Sequence, residues 1–214
     1  MVSNMMTRST FETIKQKHGR YASWAVWGPN GATPKSGMAD MSVFETDAVV
    51  NVLKPNVVML ALNFSKMVEQ SQPFHNFHVA KNAQDYKIRY AFTETEYYGA
   101  YMTDIIKDLA EMDCSKATKH LDAHPELLAK SLRIFREEMK DLGNERPVIL
   151  AFGNDAYRIA HTHLRPEEYS LLVKLTHYSD YRLNKEAYKK RVFEEIAAHR
   201  ESSANEHIEG RNRL

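Results

Sequence analysis

Four short apolar segments, each typical of a buried strand, end in a residue whose side chain or backbone is distinctive: Asn63, Asp104, Gly153 and His177. Open parallel sheets bind their ligands beyond the carboxyl ends of the strands. An amide that orients a water, a carboxylate that accepts hydrogen bonds and an imidazole that donates one would converge there. The pattern therefore predicts an active site along one edge of a sheet.

The segments around these residues predict an α/β fold. Strands are expected at residues 57–63, 99–104, 148–153 and 171–177. Helices are expected at about residues 83–92, 125–142 and 185–199, with one more after Gly153. Because strands alternate with helices, we expect a three-layer α/β/α fold with a central, mostly parallel four-stranded sheet.

The N-terminal part of the chain is predicted to cover this sheet. A short helix carries Phe11 and Ile14 and ends at Gly19, and residues 21–27 alternate as a strand does. Helical periodicity returns at about residues 43–53. Residues 1–200 are expected to form one domain, followed by a polar tail, 201–214, that is expected to be disordered.

Composition restricts the class of protein. The chain has 214 residues, and 29 Lys plus Arg against 28 Asp plus Glu give a net charge of +1, so any nucleic-acid footprint must be local. The single cysteine, Cys114, excludes a disulfide framework and fits a reducing compartment. The sequence shows neither a membrane span nor a signal peptide, which predicts a cytoplasmic protein.

Three sequence motifs at the predicted strand ends are similar to motifs of a known protein family. Ala61-Leu-Asn-Phe-Ser65 is similar to a Gly-x-Asn-Pro-Gly motif, Tyr101-Met-Thr-Asp-Ile-Ile-Lys107 to a strand ending in Thr-Asn, and Thr176-His-Tyr-Ser-Asp-Tyr-Arg182 to a His-Pro-Ser-type motif. In this order, over residues 56–182, they resemble the uracil-DNA glycosylase superfamily, most closely its small single-domain members.

The resemblance implies a monofunctional DNA glycosylase without a cofactor. In it Asn63 positions the attacking water and His177 stabilises the departing base. No lysine of the matched motifs occupies a position suited to a Schiff base, and one cysteine cannot hold the four-cysteine cluster of some relatives. The expected partner is DNA, either duplex with an extruded base or single-stranded, bound by a monomer.

Asp104 departs from the family pattern. Many relatives have an Asn here, whose amide donates to O4 of uracil and accepts from N3–H, whereas a carboxylate only accepts. Facing the N4 amine of cytosine, an acid gains about 1–3 kcal/mol of discrimination. Since the second oxygen would meet the lone pair of N3, either Asp104 or N3 needs a proton, which requires a desolvated pocket.

The first motif departs from the pattern as well. It lacks the Tyr that, in uracil-specific relatives, excludes substituents at C5 of the base. Together with Asp104, this suggests excision of a modified cytosine, hydroxymethylated or glucosylated as in some phages, and a role in defence. Phe64 is the alternative occupant of the C5 space.

Base flipping also needs a stacking face and a wedge. Phe74 is expected to stack on the extruded base, with Phe77 as the alternative and Asn76 in the pocket lining. In the His177 loop, Tyr178 or Tyr181 is expected to enter the vacated stack. The remaining DNA contacts are expected from residues in the matched loops: Ser65, Gly153, Asn154, Ser179 and Arg182.

Each assignment has a structural alternative. Asn63 is suited to a turn, and His177 to packing as a partly buried histidine. Asp104 can cap the following segment or pair with Lys107. Phe74 can belong to the core.

Alternative functions also stay open. The main rival is a glycosylase-like DNA-binding protein that has lost water activation, supported by Asn63 in place of a carboxylate. A uracil or mismatch repair glycosylase and a glycosidase for free nucleotides are further candidates. Histidine pairs such as His75-x-x-His78 have metal-ligand spacing but no acidic or cysteine partner in a recognised pattern, and Cys114 lacks the context of a nucleophile.

Overall fold

A five-stranded mixed sheet forms the centre of the molecule. The computed structural model describes residues 6–29, 31–63, 72–78, 83–109, 119–121 and 123–211, with side chains as far as residue 201. The strands are β1 (Ala22–Trp24), β2 (Lys54–Ala61), β3 (Ala100–Asp104), β4 (Val148–Phe152) and β5 (Leu171–Leu175). Their order across the sheet is β1-β3-β2-β4-β5.

The sheet differs from the expected four mostly parallel strands because the N-terminal strand joins it. β1 runs antiparallel to β3, with Trp24 opposite Tyr101, while β2, β3, β4 and β5 pair in parallel. An unpaired edge on β3 would expose a row of backbone hydrogen-bonding groups, and β1 covers it. The expectation of four mostly parallel strands is therefore wrong, and the sheet is mixed.

Among the described residues, five α-helices with complete bounds connect and cover the strands: α1 (Arg8–His18), α2 (Tyr86–Phe92), α3 (Pro125–Asp141), α4 (Asn154–His163) and α5 (Lys185–Arg211). Short 3₁₀ helices occupy Met41–Phe44, Asp47–Asn51 and Pro166–Glu168, and residues 119–121 and 123 are also helical. None of these helices, within the described part of the chain, has the length and apolarity needed to cross a membrane.

Two helical predictions need correction. Residues 43–53 form parts of two 3₁₀ turns rather than one α-helix, because the backbone at Thr46 is extended, with φ −83° and ψ 141°, and separates the two turns. Helix α5 continues to Arg211, past the predicted end at about 199, so the backbone of residues 201–211 is helical, and residues 212–214 lie outside the described part of the chain. The sequence between 199 and 209 contains neither Gly nor Pro to stop it.

The core lies on both faces of the sheet. On one face α1, α3 and α4 pack against it through residues such as Phe11, Phe135 and Ile159. On the other face α2 and α5 pack through residues such as Phe92 and Tyr188. Successive residues of β2 alternate between the two clusters, as the pleat of a strand requires. The arrangement is compatible with three α/β/α layers.

Candidate functional site

The parallel strands bring their carboxyl ends to one edge of the sheet. Ala61 of β2 lies opposite Asp104 of β3 in the pairing register, and the Ile105 amide donates to the Ala61 carbonyl oxygen at 2.9 Å. Asn63 follows two residues after Ala61. The amide therefore lies just beyond the end of β2, and the acid lies at the end of the neighbouring strand β3.

Asn63 is held by the loop that follows β3. Its Nδ2 donates to the Leu109 carbonyl oxygen at 3.2 Å, and its side chain is half-buried. This bond agrees with the turn-stabilising alternative. It also fixes the amide plane, as positioning a water by the Oδ1 atom would require.

Asp104 occupies a desolvated position, with 1% of its surface exposed. Its Oδ2 accepts a hydrogen bond from Nδ2 of Asn76 at 2.8 Å, and the same nitrogen donates to the Tyr21 carbonyl oxygen at 2.9 Å. Burial raises the pKa of Asp104 to about 7, although the Asn76 hydrogen bond and the charge of Lys107 act in the opposite direction. Near neutral pH the acid is therefore present in both protonation states.

Lys107 forms its ion pair with Glu138 rather than with Asp104. Its charge therefore lowers the pKa of Asp104 by less than burial raises it. The Lys107 Nζ donates to Glu138 Oε2 at 2.8 Å and to Thr103 Oγ1 at 2.6 Å, and the side chains of Lys107 and Glu138 are fully buried. The alternative in which Asp104 forms an ion pair with Lys107 is not what the structure shows.

His177 is held as a neutral imidazole. Its Nδ1 accepts hydrogen bonds from the backbone N–H and the hydroxyl of Ser179, at 3.1 and 2.7 Å. Burial lowers the pKa of His177 to about 4. Because Nδ1 accepts, the proton of the neutral ring is on Nε2, which becomes a donor. The ring stacks on Tyr178, with centroids 4.3 Å apart.

Gly153 provides the surface on which the imidazole lies. Its φ of 87° belongs to the left-handed region, and its N–H donates to the Leu175 carbonyl oxygen at 2.8 Å. A Cβ at this position would stand 3.2 Å from Cδ2 of His177. The turn between β4 and α4 therefore brings its backbone close to the ring.

The acid and the imidazole are separated by three strand spacings, since the order of their strands is β3-β2-β4-β5. At about 4.8 Å each, these add to roughly 14 Å. This is the separation of the strand backbones. The Asp104 carboxylate itself is buried and bonded to Asn76.

The start of α2 connects the two sides of the edge. The negative charge of Asp85 contributes to the raised pKa of Asp104. Two residues later, the Lys87 Nζ donates to the Asp180 carbonyl oxygen at 2.9 Å, in the loop that carries His177. One turn of helix therefore contacts the loop of the imidazole and lies near the acid.

The two predicted stacking residues lie in the core. Phe74 is fully buried between Phe11 and Phe44, with ring centroids at 5.4 and 5.2 Å. Phe77 belongs to the cluster on the other face of the sheet, and its carbonyl oxygen accepts from Trp27 Nε1 at 3.3 Å. Both rings are used for packing, and we withdraw them as stacking faces for a base.

The His177 loop separates its residues by exposure. Tyr178 is half-buried and packs edge-on against Phe152, whereas 82% of Tyr181 is exposed. The Arg182 guanidinium donates to both carboxylate oxygens of Asp180, at 2.9 and 2.7 Å. Of the two predicted wedge residues, Tyr181 therefore has the required exposure.

Further predicted DNA contacts have mixed positions. Asn154 is exposed at the first turn of α4, next to Gly153. Ser179 uses its hydroxyl on His177, so it positions the imidazole as the structure stands. Phe64 and Ser65 lie outside the described residues, as does Cys114. No three His, Cys, Asp or Glu side chains within the described ranges are placed to hold a metal ion.

Several partners in the site had weak signals in the sequence. The position of Ser179, two residues after His177, is typical of a hydroxyl that bonds locally to a neighbour. Glu138 shares a helix face with Phe135, and a polar residue on an apolar stripe is a sign of a buried pair. Nothing in the sequence indicates the contact between Asn76 and Asp104, because it depends on how distant segments cross.

Comparison of the chain with protein-family models, with curated proteins and with solved structures found no match.

Proposed function

We propose that the protein is a monofunctional DNA glycosylase that excises a modified cytosine. One observation carries this proposal, namely that Asp104, at the base-reading position of the resemblance, is a buried carboxyl group held by Asn76 at the end of a parallel strand, where burial raises its pKa to about 7. The parallel edge formed by β2, β3, β4 and β5, with Asn63 and His177 on it, supports the likeness to the uracil-DNA glycosylase architecture.

The raised pKa of Asp104 supplies the proton that pairing with cytosine requires. One oxygen accepts from the N4 amine, and a proton shared between the other oxygen and N3 replaces the repulsion of two lone pairs. An acid with an ordinary pKa would be protonated near pH 7 only at considerable cost, whereas Asp104 needs little. The protonated acid could also pair with uracil, by donating to O4 and accepting from N3–H, so the preference for cytosine comes from the ionised form, which repels O4 of uracil and accepts from the N4 amine.

His177 is suited to the departing base. As the bond between C1′ and the base nitrogen breaks, its electron pair moves onto the base, and negative charge develops on O2. A neutral imidazole that carries its proton on Nε2 donates a hydrogen bond to this oxygen. The hydrogen bonds from Ser179 to Nδ1 hold the ring in this tautomer.

Asn63 completes the hydrolysis by orienting a water. The water oxygen adds to C1′, and the proton passes to solvent, because an amide is too weak a base to take it. This limits the site to slow turnover or to bases that leave easily. Tyr181 fills the space left in the duplex, since it is the most exposed large apolar side chain among the described residues.

The substituent on the base is inferred from the first motif. Because that motif lacks the Tyr that closes the C5 side, we propose a 5-substituted cytosine, hydroxymethylated or glucosylated, of the kind that some phages carry. Removing such bases would act against phage DNA rather than repair the cell's own.

A glycosylase-like DNA-binding protein is the second candidate. It is favoured by the hydrogen bond from Asn63 to the Leu109 carbonyl oxygen, which gives the side chain a structural role without catalysis. In this case DNA carrying the modified base would be bound and left intact.

Strand breakage distinguishes the two candidates. Duplexes carrying uracil, cytosine, hydroxymethylcytosine or glucosylated hydroxymethylcytosine at one position are incubated with the protein and then heated in alkali. We expect breaks at a modified cytosine. A gel shift without a break at any of the four bases would favour the binding protein.

A further inference from the structure

A second feature lies beside the candidate site, in a groove between α2 and the beginning of α5. The groove has a volume of about 510 Å³ and is closed on one side by the loop 31–34. We call it the tyrosine–lysine groove, after four side chains that line it: Tyr86, Tyr90, Lys185 and Lys189. Lys35 lies beside the groove, over the ring of Tyr86.

Aromatic rings hold the ammonium groups in this groove. The Nζ atoms of Lys185 and Lys189 lie 4.0 and 5.7 Å from the centroid of the Tyr90 ring, and the Nζ of Lys35 lies 5.4 Å from that of Tyr86. Attraction of a cation to a ring face restricts a flexible lysine. Three positive charges are therefore kept at one surface.

Arg89 adds a fourth positive charge below them. Its guanidinium donates to the carbonyl oxygens of Ser36 and Pro34, at 2.8 and 2.5 Å, and is buried. The carboxylates nearby are Glu94, which lines the groove, and Glu186, which pairs with Lys185 at 2.6 Å. Cations thus outnumber acids, and the groove favours an anion.

The groove adjoins the proposed active site. Lys87, on another face of α2, donates to the Asp180 carbonyl oxygen in the His177 loop. Helix α5 begins with Lys185, three residues after that loop ends at Arg182. A DNA strand with one base at the sheet edge would continue past this groove.

We propose that the tyrosine–lysine groove binds the sugar–phosphate backbone of the strand that carries the extruded base. This inference rests on the proposed function and gives the strand a track next to the catalytic edge. Lys185 and Lys189 are four residues apart on one helix, about 6 Å from each other, so they can meet adjacent phosphates. Since the net charge of the chain is only +1, such a local track is what DNA binding requires.

The test compares two double variants with the same loss of charge. Lys185→Gln with Lys189→Gln removes charge from the groove, whereas Lys190→Gln with Arg191→Gln removes it from exposed positions of the same helix outside the groove. Binding of a fluorescein-labelled unmodified 20-base-pair duplex is measured by anisotropy at several salt concentrations. Thermal unfolding of each variant checks that the fold is kept.

Two lost phosphate contacts have a defined signature. The slope of log K against log salt should fall by about 1.8, and affinity at 0.1 M salt should fall by up to about 60-fold. The control pair should remain close to the wild type. Equal affinities for the wild type and the groove variant, or equal losses in both double variants, would overturn the proposal.

The binding assay separates this inference from the proposed function. Because the duplex carries no excisable base, the groove variant can lose affinity even if the protein proves to excise nothing. The opposite outcome is also distinguishable. If DNA treated with the wild type breaks in alkali, and the groove variant binds the duplex as tightly as the wild type, the glycosylase activity is supported and the role of the groove is refuted.

Discussion

Burial shifts the pKa values of the two ionisable residues of the candidate site in opposite directions. It raises the pKa of Asp104 to about 7 and lowers the pKa of His177 to about 4, because in each case the charged form loses solvation. The result is an imidazole that is neutral at pH 7 and an acid that exchanges its proton there. This pair suits hydrogen-bond donation to a leaving base and proton-assisted reading of that base.

Replacing His177 separates catalysis from binding. His177→Ala should lower the single-turnover excision rate by about 10²–10³, as the loss of one oxyanion donor does, with little change in DNA affinity. Ser179→Ala should have a smaller effect of the same kind, since it removes the hydroxyl bond to Nδ1 while the backbone N–H of residue 179 still donates to that nitrogen. Rates from rapid quench and affinities from anisotropy give the comparison. Equal losses in rate and affinity would make His177 a binding residue.

The pKa of Asp104 should appear in the stability of the protein. Its folded pKa of about 7 exceeds the ordinary value of 3.8 for an aspartic acid, so between these pH values the folded state holds a proton that the unfolded state releases. The contribution of Asp104 to the free energy of unfolding is therefore fully present below pH 3.8 and is lost as the pH rises to about 7. Between pH 5 and 8 the wild type should lose about 2–3 kcal/mol relative to Asp104→Asn.

Urea unfolding of both proteins at each pH measures this difference. The lowered pKa values of His78 and His177 make the protein less stable as the pH falls below 6.5. This effect on the free energy of unfolding is the same in the wild type and in Asp104→Asn, so it cancels in the comparison. Parallel stability curves for the wild type and the variant would mean that Asp104 has an ordinary pKa.

The sequence could place a residue when it directly follows a predicted strand, but not when it lies within a loop. The positions of Asn63, Asp104 and His177 near the carboxyl ends of parallel strands could be predicted, because each follows an apolar segment typical of a buried strand. Their roles in the site stay a prediction. Phe74 and Phe77 were misplaced, because an aromatic residue in a loop has no periodicity to tell a core position from an exposed one. The hydrogen bond of Asn76 depends on tertiary contacts alone.

Among the elements, the turn between β4 and α4 determines the position of the imidazole. Its Gly153 combines a left-handed backbone with a close approach to His177. The buried Lys107 and Glu138 connect the segment after β3 to α3 and so support the other half of the edge.

A side chain at Gly153 should disturb the site more than the fold. Gly153→Ala places a Cβ in a backbone conformation that costs roughly 1–2 kcal/mol and 3.2 Å from the His177 ring. We expect that loss of stability by urea unfolding, together with a fall in excision rate larger than that of Gly143→Ala. Gly143 also has a positive φ, of 68°, but ends α3, so it serves as the control. Identical rates in both variants would show that the ring does not depend on this turn.

Breaking the buried ion pair should be costly. Glu138→Gln leaves the Lys107 charge uncompensated and should destabilise the protein by about 3–5 kcal/mol. Glu137→Gln is the matched control, because Glu137 pairs with Arg133 on the exposed face of the same helix and should cost at most about 1 kcal/mol. Urea unfolding at pH 7 measures both, and similar costs would contradict the importance of the pair.

Elements with strong periodicity could be predicted, and short ones could not. The long helix α3 was expected at residues 125–142 and spans Pro125–Asp141, since its apolar stripe is continuous. The 3₁₀ turns near residues 43–53 share the same spacing of apolar residues over too short a length to be told apart. The pairing of β1 with β3 joins distant segments and has no local signal.

At the scale of the whole molecule, one edge of the sheet and one groove would carry the interaction with DNA. The net charge of +1 gives no general attraction for a polyanion, so affinity has to come from local cations such as Lys185 and Lys189. The α/β class could be predicted from alternating strands and helices, and so could a strand within residues 21–27, whereas the pairing of that strand with β3, which makes the sheet mixed, could not.

The central claim is that Asp104 reads the base, and replacing it by Asn tests this most directly. Wild type and Asp104→Asn are each given an equimolar mixture of duplexes carrying uracil or hydroxymethylcytosine, and the released bases are quantified by mass spectrometry. The wild type should release the cytosine-type base, and the variant should shift toward uracil by about 5- to 150-fold, the equivalent of about 1–3 kcal/mol. The same base preference in both proteins would contradict the account.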